Sequence, residues 1–173
     1  MAWWTTRGKH KEHGTNIVYL MLKKINKEIG KKVLHVLDRG YANANMLEWL
    51  IKFDQDFLIR WKGDHIFLNE HGQSKKIYDI ARSYKGQKDK LVYDKERKKM
   101  KKVSIAWGPI KHPEFPNYQL YLVIIRDKNN PNPPIYLVTS VAVEEKDTAW
   151  EMCFSTKVKC IIIRELFPFH LSP

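Results

Sequence analysis

The sequence predicts an α/β fold, because helix and strand patterns alternate along its first third. A helix pattern opening at residues 14–16 carries apolar residues on one side and lysines outside that stripe, and it ends at Gly30. The mainly apolar run at residues 33–37 is typical of a strand covered on both faces. A second helix pattern at residues 43–51 and a second strand pattern at residues 57–62 follow.

Asp38 stands where the apolar run of the first predicted strand stops, so that strand would hold a carboxylate at the rim of the sheet. Open α/β sheets place their chemistry at the carboxyl ends of strands, which makes Asp38 the leading candidate for an active carboxylate. Gly40 suits a sharp exit from the strand, because glycine adopts backbone angles that other residues avoid. Asn43 or Asn45 can cap the next helix. In the alternative interpretation Asp38 only caps that helix, and the local pattern does not separate the two.

The charge of the chain indicates a negatively charged partner. Its 173 residues form one domain or part of one, with 31 Lys and Arg against 19 Asp and Glu and a net charge of +12. Such an excess points first to nucleic acid and second to an acidic membrane surface. No segment approaches the roughly 18 apolar residues of a membrane span. The two cysteines, Cys153 and Cys160, lack metal-ligand spacing, which favours a reducing, cytoplasmic setting.

The second half of the chain predicts strands around a basic segment. Nine lysines and arginines fall between residues 84 and 102, and such a density would bind phosphates, although a charge run is also typical of a solvated face. Residues 102–107, 118–126 and 135–143 have strand character, and Val103, Ile105 and Trp107 would face one way along the first of them. The intervening residues 127–134 have turn composition.

The motif Leu37-Asp38-Arg39-Gly40-Tyr41, then a helix, then a strand ending Arg60-Trp61-Lys62, resembles bacterial insertion-sequence transposases. These belong to the DDE superfamily, in one branch of which the second of three metal-binding acids lies in an Asp-Arg-Gly-(Phe/Tyr) motif. The resemblance runs from about Trp3 to Trp150. It implies a ribonuclease-H-like mixed sheet flanked by helices, with an inserted β-rich segment.

The resemblance also implies a division of the chain. Residues 1–63 would be part of the ribonuclease-H-like core, residues 64–133 the inserted basic β-rich segment, and residues 134–152 the return to the core. The family then has a helix with Tyr, Arg and the third acid, which would fall near residues 156, 159 and 163, and none of these matches. Residues 153–173 are therefore interpreted as an out-of-frame tail after a frameshift near Met152, which reading the gene's other frames would test.

The site that the resemblance implies is incomplete. Asp38 would be the catalytic metal ligand, and Arg39, Arg60 and Lys62 would approach DNA. The first acid would lie upstream of Trp3, so the chain is interpreted as an N-terminally truncated, C-terminally frameshifted fragment. Two Mg²⁺ ions serve strand cleavage and transfer in the intact family, and Asp38 alone would hold them poorly, so we expect an inactive fragment.

Several other residues are candidates for the same chemistry. Asp54 and Asp56 precede their strand, which favours a turn over a metal pair. Glu151 or Glu165 is a weak substitute for the missing third acid. Arg60 and Lys62 could also be an exposed edge whose side chains reach solvent.

The expected partner is double-stranded DNA, with a homodimer in the intact family, no membrane, and a bacterial cytoplasmic, nucleoid-associated location. The alternative function is a non-catalytic basic nucleic-acid-binding protein. A nuclease of the restriction-endonuclease type is disfavoured, because residues 59–62 lack the second acid that such a site needs.

Overall fold

The computed structural model describes residues 14–30, 33–84, 88–94, 98–128 and 133–155. Within these ranges the chain forms four helices and one eight-stranded sheet. The strand end predicted near Trp3 and most of the interpreted tail, residues 156–173, lie outside the described residues. Among the described helices, none has the length and apolar character needed to cross a membrane.

The elements follow one another in a simple order. They are α1 (Gly14–Ile29), β1 (Leu34–Leu37), a 3₁₀ turn (Arg39–Tyr41), α2 (Ala44–Lys52), β2 (Asp56–Trp61), β3 (Ile66–Leu68), β4 (Ser74–Lys76), α3 (Ile77–Ser83), β5 (Lys88–Asp94), β6 (Lys99–His112), β7 (Phe115–Asp127), β8 (Ile135–Thr139) and α4 (Lys146–Ser155).

The sheet is mixed, with the strand order β1-β2-β8-β7-β6-β3-β4, and β5 pairs with β6 beside this path. Only β1 and β2 are parallel among the described strand pairs. A right-handed crossover through a helix is the usual way to join parallel neighbours, and α2 occupies that connection. The predicted α/β class with a mixed sheet flanked by helices is confirmed.

Helices cover the two faces of this sheet unequally. One face carries the larger core, to which α1, α2 and α3 contribute Leu22, Leu50 and Ile80. The opposite face, here called the α4 face, packs against the apolar residues of α4. The predicted alternation along β6 is confirmed, because Val103, Ile105 and Trp107 all belong to the core on the α4 face.

The helix boundaries follow ordinary capping chemistry. Gly30 ends α1 with a φ of 66°, in the left-handed region that favours glycine. Asn43 caps α2, because its Oδ1 accepts the backbone N–H of Met46 at 2.9 Å. The buried side of α2 carries Met46, Leu47 and Leu50, as the sequence pattern predicts.

Two strands and one helix differ from expectation. β5 lies inside the basic segment, where no individual strand was predicted. β8 ends at Thr139 and does not reach residue 143, because the Thr139 hydroxyl accepts the N–H of Val141 and turns the chain. α4 begins at Lys146 and continues to Ser155, so residues 153–155 of the interpreted tail belong to a helix whose Cys153 is buried.

Candidate functional site

The carboxyl ends of β1 and β2 meet at one edge of the sheet, because these two strands are parallel. Leu37 is the register partner of Ile59, so Asp38 follows β1 beside Arg60 of β2. Val36 and Leu58, two positions earlier on each strand, both contact the core on the α4 face. Since side chains alternate along a strand, Asp38 and Arg60 project from that same face.

Asp38 caps a turn and remains exposed to solvent. Its Oδ1 accepts the backbone N–H of Gly40 at 2.8 Å, and its carbonyl oxygen accepts the N–H of Tyr41 at 3.2 Å. The capped element is the 3₁₀ turn, whereas α2 has Asn43 as its own cap. The carboxylate therefore has a local structural role and is also open to a ligand from solvent.

Gly40 serves this turn for a different reason from the one predicted. The described glycines with positive φ are Gly30 and Gly72, so Gly40 does not need the left-handed conformation. A Cβ at position 40 would instead lie 3.1 Å from Asp38 Oδ1, which is tighter than ordinary contact. The position favours glycine because the capping carboxylate lies directly against it.

Two arginines interact electrostatically at the same edge. Burial lowers the pKa of the Arg60 guanidinium, and the positive charge of Arg39 lowers that pKa further. Arg60 is exposed between Ile59 and Trp61, both of which are buried. The prediction that Trp61 points away from Arg60 is confirmed by this alternation.

The basic side chains at this edge have no acidic partner among the described residues. The ion pairs found within the described ranges involve other lysines, arginines and histidines, and Lys62, which follows β2, is exposed like Arg60. The edge therefore carries three cationic groups, Arg39, Arg60 and Lys62, beside a single carboxylate.

Other acids do not converge on Asp38. Asp56 lies at the opposite end of β2, where its Oδ1 accepts the Ser140 hydroxyl at 3.1 Å. Asp54 adopts a positive φ of 50° in the turn before β2, which confirms its predicted turn role. Glu151 lies exposed on α4, and Glu165 is outside the described residues. No group of three or more metal-ligand side chains forms within the described ranges.

The basic segment is partly neutralised by its own acids. Asp89 lies 3.1 Å from the Lys102 ammonium and 2.6 Å from that of Lys128, and these hydrogen bonds lower the pKa of Asp89. Lys101 lies 3.6 Å from Asp127. Lys85, Lys95 and Arg97 lie outside the described residues, so the predicted phosphate-binding role of the whole segment stays a prediction.

A buried polar network lies toward the amino ends of β1 and β2, away from the Asp38 edge, and was not predicted. His35, in the middle of β1, and Gln55, in the turn before β2, are 2% and 1% exposed. His35 Nε2 lies 3.0 Å from Gln55 Oε1, while Gln55 Nε2 donates to Asn26 Oδ1 of α1 and to the carbonyl of Gly30. Burial lowers the pKa of His35. The one available signal was a histidine inside an otherwise apolar strand pattern.

The network fixes the strand that carries Asp38. Three segments that are separate in sequence meet at Gln55, namely the end of α1, the middle of β1 and the turn between α2 and β2. Buried polar groups with satisfied partners restrict the arrangement of the elements that bear them.

Compared with models of known protein families, this chain matches none, and no curated protein matches it.

Proposed function

We propose that this chain is a DDE-type transposase with a ribonuclease-H-like core, which binds double-stranded DNA at the Asp38 edge. The observation that carries the proposal is the placement of Asp38 beside Arg60 at the carboxyl ends of the parallel strands β1 and β2. The motif at residues 37–41 supplies the link to this family, and residues 64–133 correspond to its inserted segment. The match to the family rests on the sequence motif.

The cations at the edge suit a phosphate backbone. Arg39 lowers the pKa of Arg60, so the positive charges of the two guanidiniums repel each other. A phosphate placed between them would relieve that repulsion, and guanidinium groups match phosphate oxygens in pairs. Lys62, which follows β2, would add a further contact to the phosphate backbone. Such contacts position a duplex without reading its sequence.

Asp38 supplies one hard oxygen ligand for Mg²⁺, which falls short of a site. Mg²⁺ is held by carboxylates together with substrate phosphates and keeps several waters. The described residues place one carboxylate at this edge, and this set alone does not fit the ion. Asp38 would therefore contribute a ligand only together with groups that the described residues do not supply.

DNA binding is tested by fluorescence anisotropy on a short labelled duplex. We expect Arg39→Ala and Arg60→Ala each to weaken binding several-fold. Each should also reduce the slope of log K against the logarithm of the salt concentration by roughly 0.9 per lost phosphate contact. Lys24→Ala is the matched control, since it removes one exposed charge from α1, away from the edge. Equal losses in all three variants would contradict a contact at this edge.

A non-catalytic basic nucleic-acid-binding protein is the second candidate. It is favoured by the net charge of +12 together with the single carboxylate at the edge. Repeating the anisotropy with Mg²⁺ and with Mn²⁺ separates the two functions. The transposase proposal expects divalent ions to tighten DNA binding in the native chain, where a DNA phosphate would add to the single ligand that Asp38 supplies, and to have no such effect in Asp38→Asn. Binding that ignores the ions in both proteins would favour the second candidate.

A further inference from the structure

Three large apolar side chains lie exposed together on the ribbon formed by β5 and β6. Leu91, Tyr93 and Met100 are 64%, 52% and 53% exposed. Tyr93 is the register partner of Met100, and Leu91 is that of Lys102, so all four project from the same face. Single exposed apolar residues are ordinary, but a contiguous group on a strand that pairs on one side alone among the described strands indicates a contact surface for another molecule.

The other face of β5 is already packed. Val92 contacts the core on the α4 face, and the Lys90 ammonium lies 5.6 Å from the centre of the Trp150 ring. The strand is thus held by α4 on one face, and none of the described helices or strands covers the other. Its pairing within the described chain is with β6 alone, so no described strand lies along the outer edge of β5.

The charges around this apolar group favour a protein partner over a polyanion. Asp89 lies on the uncovered face, where its carboxylate accepts hydrogen bonds from Lys102 and Lys128. Both lysines are therefore partly neutralised beside Leu91. The local surface is an apolar group bordered by paired charges, which is the composition of a protein interface core with its polar rim.

We propose that β5 pairs antiparallel with β5 of a second copy of this chain, about a two-fold axis at Val92. This register sets Leu91 opposite Tyr93 of the second copy, and the symmetry repeats that apolar pair. It also sets Lys90 opposite Asp94, so unlike charges occupy facing positions in the register. Pairing would satisfy the outer backbone groups of β5 and join two eight-stranded sheets into one.

The oligomeric state of the full chain tests the interface. We expect sedimentation equilibrium at physiological ionic strength to give a species of about 41 kDa, twice the 20.6 kDa of one chain, because salt screens the repulsion between two basic copies. Leu91→Lys and Tyr93→Lys should each weaken the dimer by about tenfold or more. The matched controls Leu20→Lys and Ile66→Lys alter equally exposed residues on α1 and β3 and should leave the dimer unchanged.

Disulfide cross-linking tests the register independently of stability. A mixture of Leu91→Cys and Tyr93→Cys chains should cross-link faster than either variant alone, with the linked peptides identified by mass spectrometry. A monomer at all concentrations, or a dimer that resists both lysine variants, overturns the interface. Equal cross-linking in the mixture and in the separate variants overturns the register. Neither result bears on DNA binding at the Asp38 edge, so the two proposals stand or fall separately.

Discussion

His35 and Gln55 form a buried hydrogen bond of 3.0 Å between β1 and the turn before β2. Gln55 Nε2 lies within hydrogen-bond distance of Asn26 Oδ1 and of the carbonyl oxygens of Gly30 and Phe53, so its Oε1 is the acceptor and His35 Nε2 carries the proton. Burial favours the neutral form of His35, which can carry its single ring proton on Nε2. We therefore expect the stability of the strand that bears Asp38 to depend on pH.

The first prediction concerns pH. Burial lowers the folded-state pKa of His35 below its ordinary value of 6.5, so the unfolded chain binds more protons in the interval between the two values. The contribution of His35 to stability is therefore fully present above about pH 6.5 and is lost as the pH falls through the folded-state pKa. We expect the free energy of unfolding, measured with urea, to fall as the pH is lowered from about 6.5.

Variants assign that pH dependence to its residue. His112 also has a pKa lowered by burial and contributes in the same direction, so some dependence should persist in His35→Gln. The slope of the free energy of unfolding against pH should nevertheless be smaller in His35→Gln than in the native chain. His71→Gln alters a side chain that is 73% exposed and should leave the slope intact. Identical slopes in His35→Gln and the native chain would show that His35 does not couple protons to folding.

The second prediction concerns Gln55. Gln55→Leu would leave the Nε2 of His35 and the carbonyl of Gly30 without this partner in a buried setting. We expect a loss of about 2–3 kcal/mol in the free energy of unfolding, because an unsatisfied buried group carries its full desolvation cost. The double variant His35→Leu with Gln55→Leu should cost less than the sum of the single variants. Strict additivity would argue against coupling through this bond.

The third prediction concerns the contact between Gly108 and Tyr84. A Cβ at position 108 would overlap the Tyr84 ring, whose hydroxyl donates to the Pro109 carbonyl at 3.3 Å. Gly108→Ala should therefore destabilise the fold by about 1–3 kcal/mol. In a Tyr84→Ala background the same substitution should cost much less, as measured by thermal or urea unfolding. If Gly108→Ala is equally destabilising in the Tyr84→Ala background, the Tyr84 ring is not the source of the destabilisation.

The fourth prediction concerns Thr139. Its fully buried hydroxyl donates to the Phe57 carbonyl at 2.6 Å and accepts the N–H of Val141 at 3.1 Å. Thr139→Val keeps the shape and removes both hydrogen bonds, so we expect a loss of about 1–3 kcal/mol. Thr139→Ser keeps the hydroxyl and should lose less. If Thr139→Ser lowers the free energy of unfolding more than Thr139→Val does, packing of the methyl group outweighs the hydrogen bonds.

Local periodicity accounts for most of what the sequence predicted of the fold. The helices α1 and α2 and the strands β1 and β2 were predictable, because their apolar residues recur at intervals that local geometry fixes. β5 was missed, since Lys88–Asp94 has charged residues at both ends, shows no apolar alternation and lies inside a basic run. Its strand character comes from pairing with β6, a tertiary contact that propensity does not encode.

The candidate site was predictable only in part. The end of a buried strand identified Asp38, and the period of two separated Arg60 from Trp61. The mutual repulsion of Arg39 and Arg60 was out of reach, because it depends on the register between β1 and β2. The reason for Gly40 was also predicted wrongly, since the close approach of a carboxylate leaves no trace in a local sequence pattern.

The hydrogen bond between Thr139 and Phe57 also bears on the order of folding. It joins residues 82 apart in sequence, whereas β6 and β7 form a hairpin whose ends need only a short turn. Closing the longer loop costs more chain entropy and delays the contact. The antiparallel ribbon of β5, β6 and β7 should therefore form early, and the parallel pair that carries Asp38 should dock onto it late, through β8.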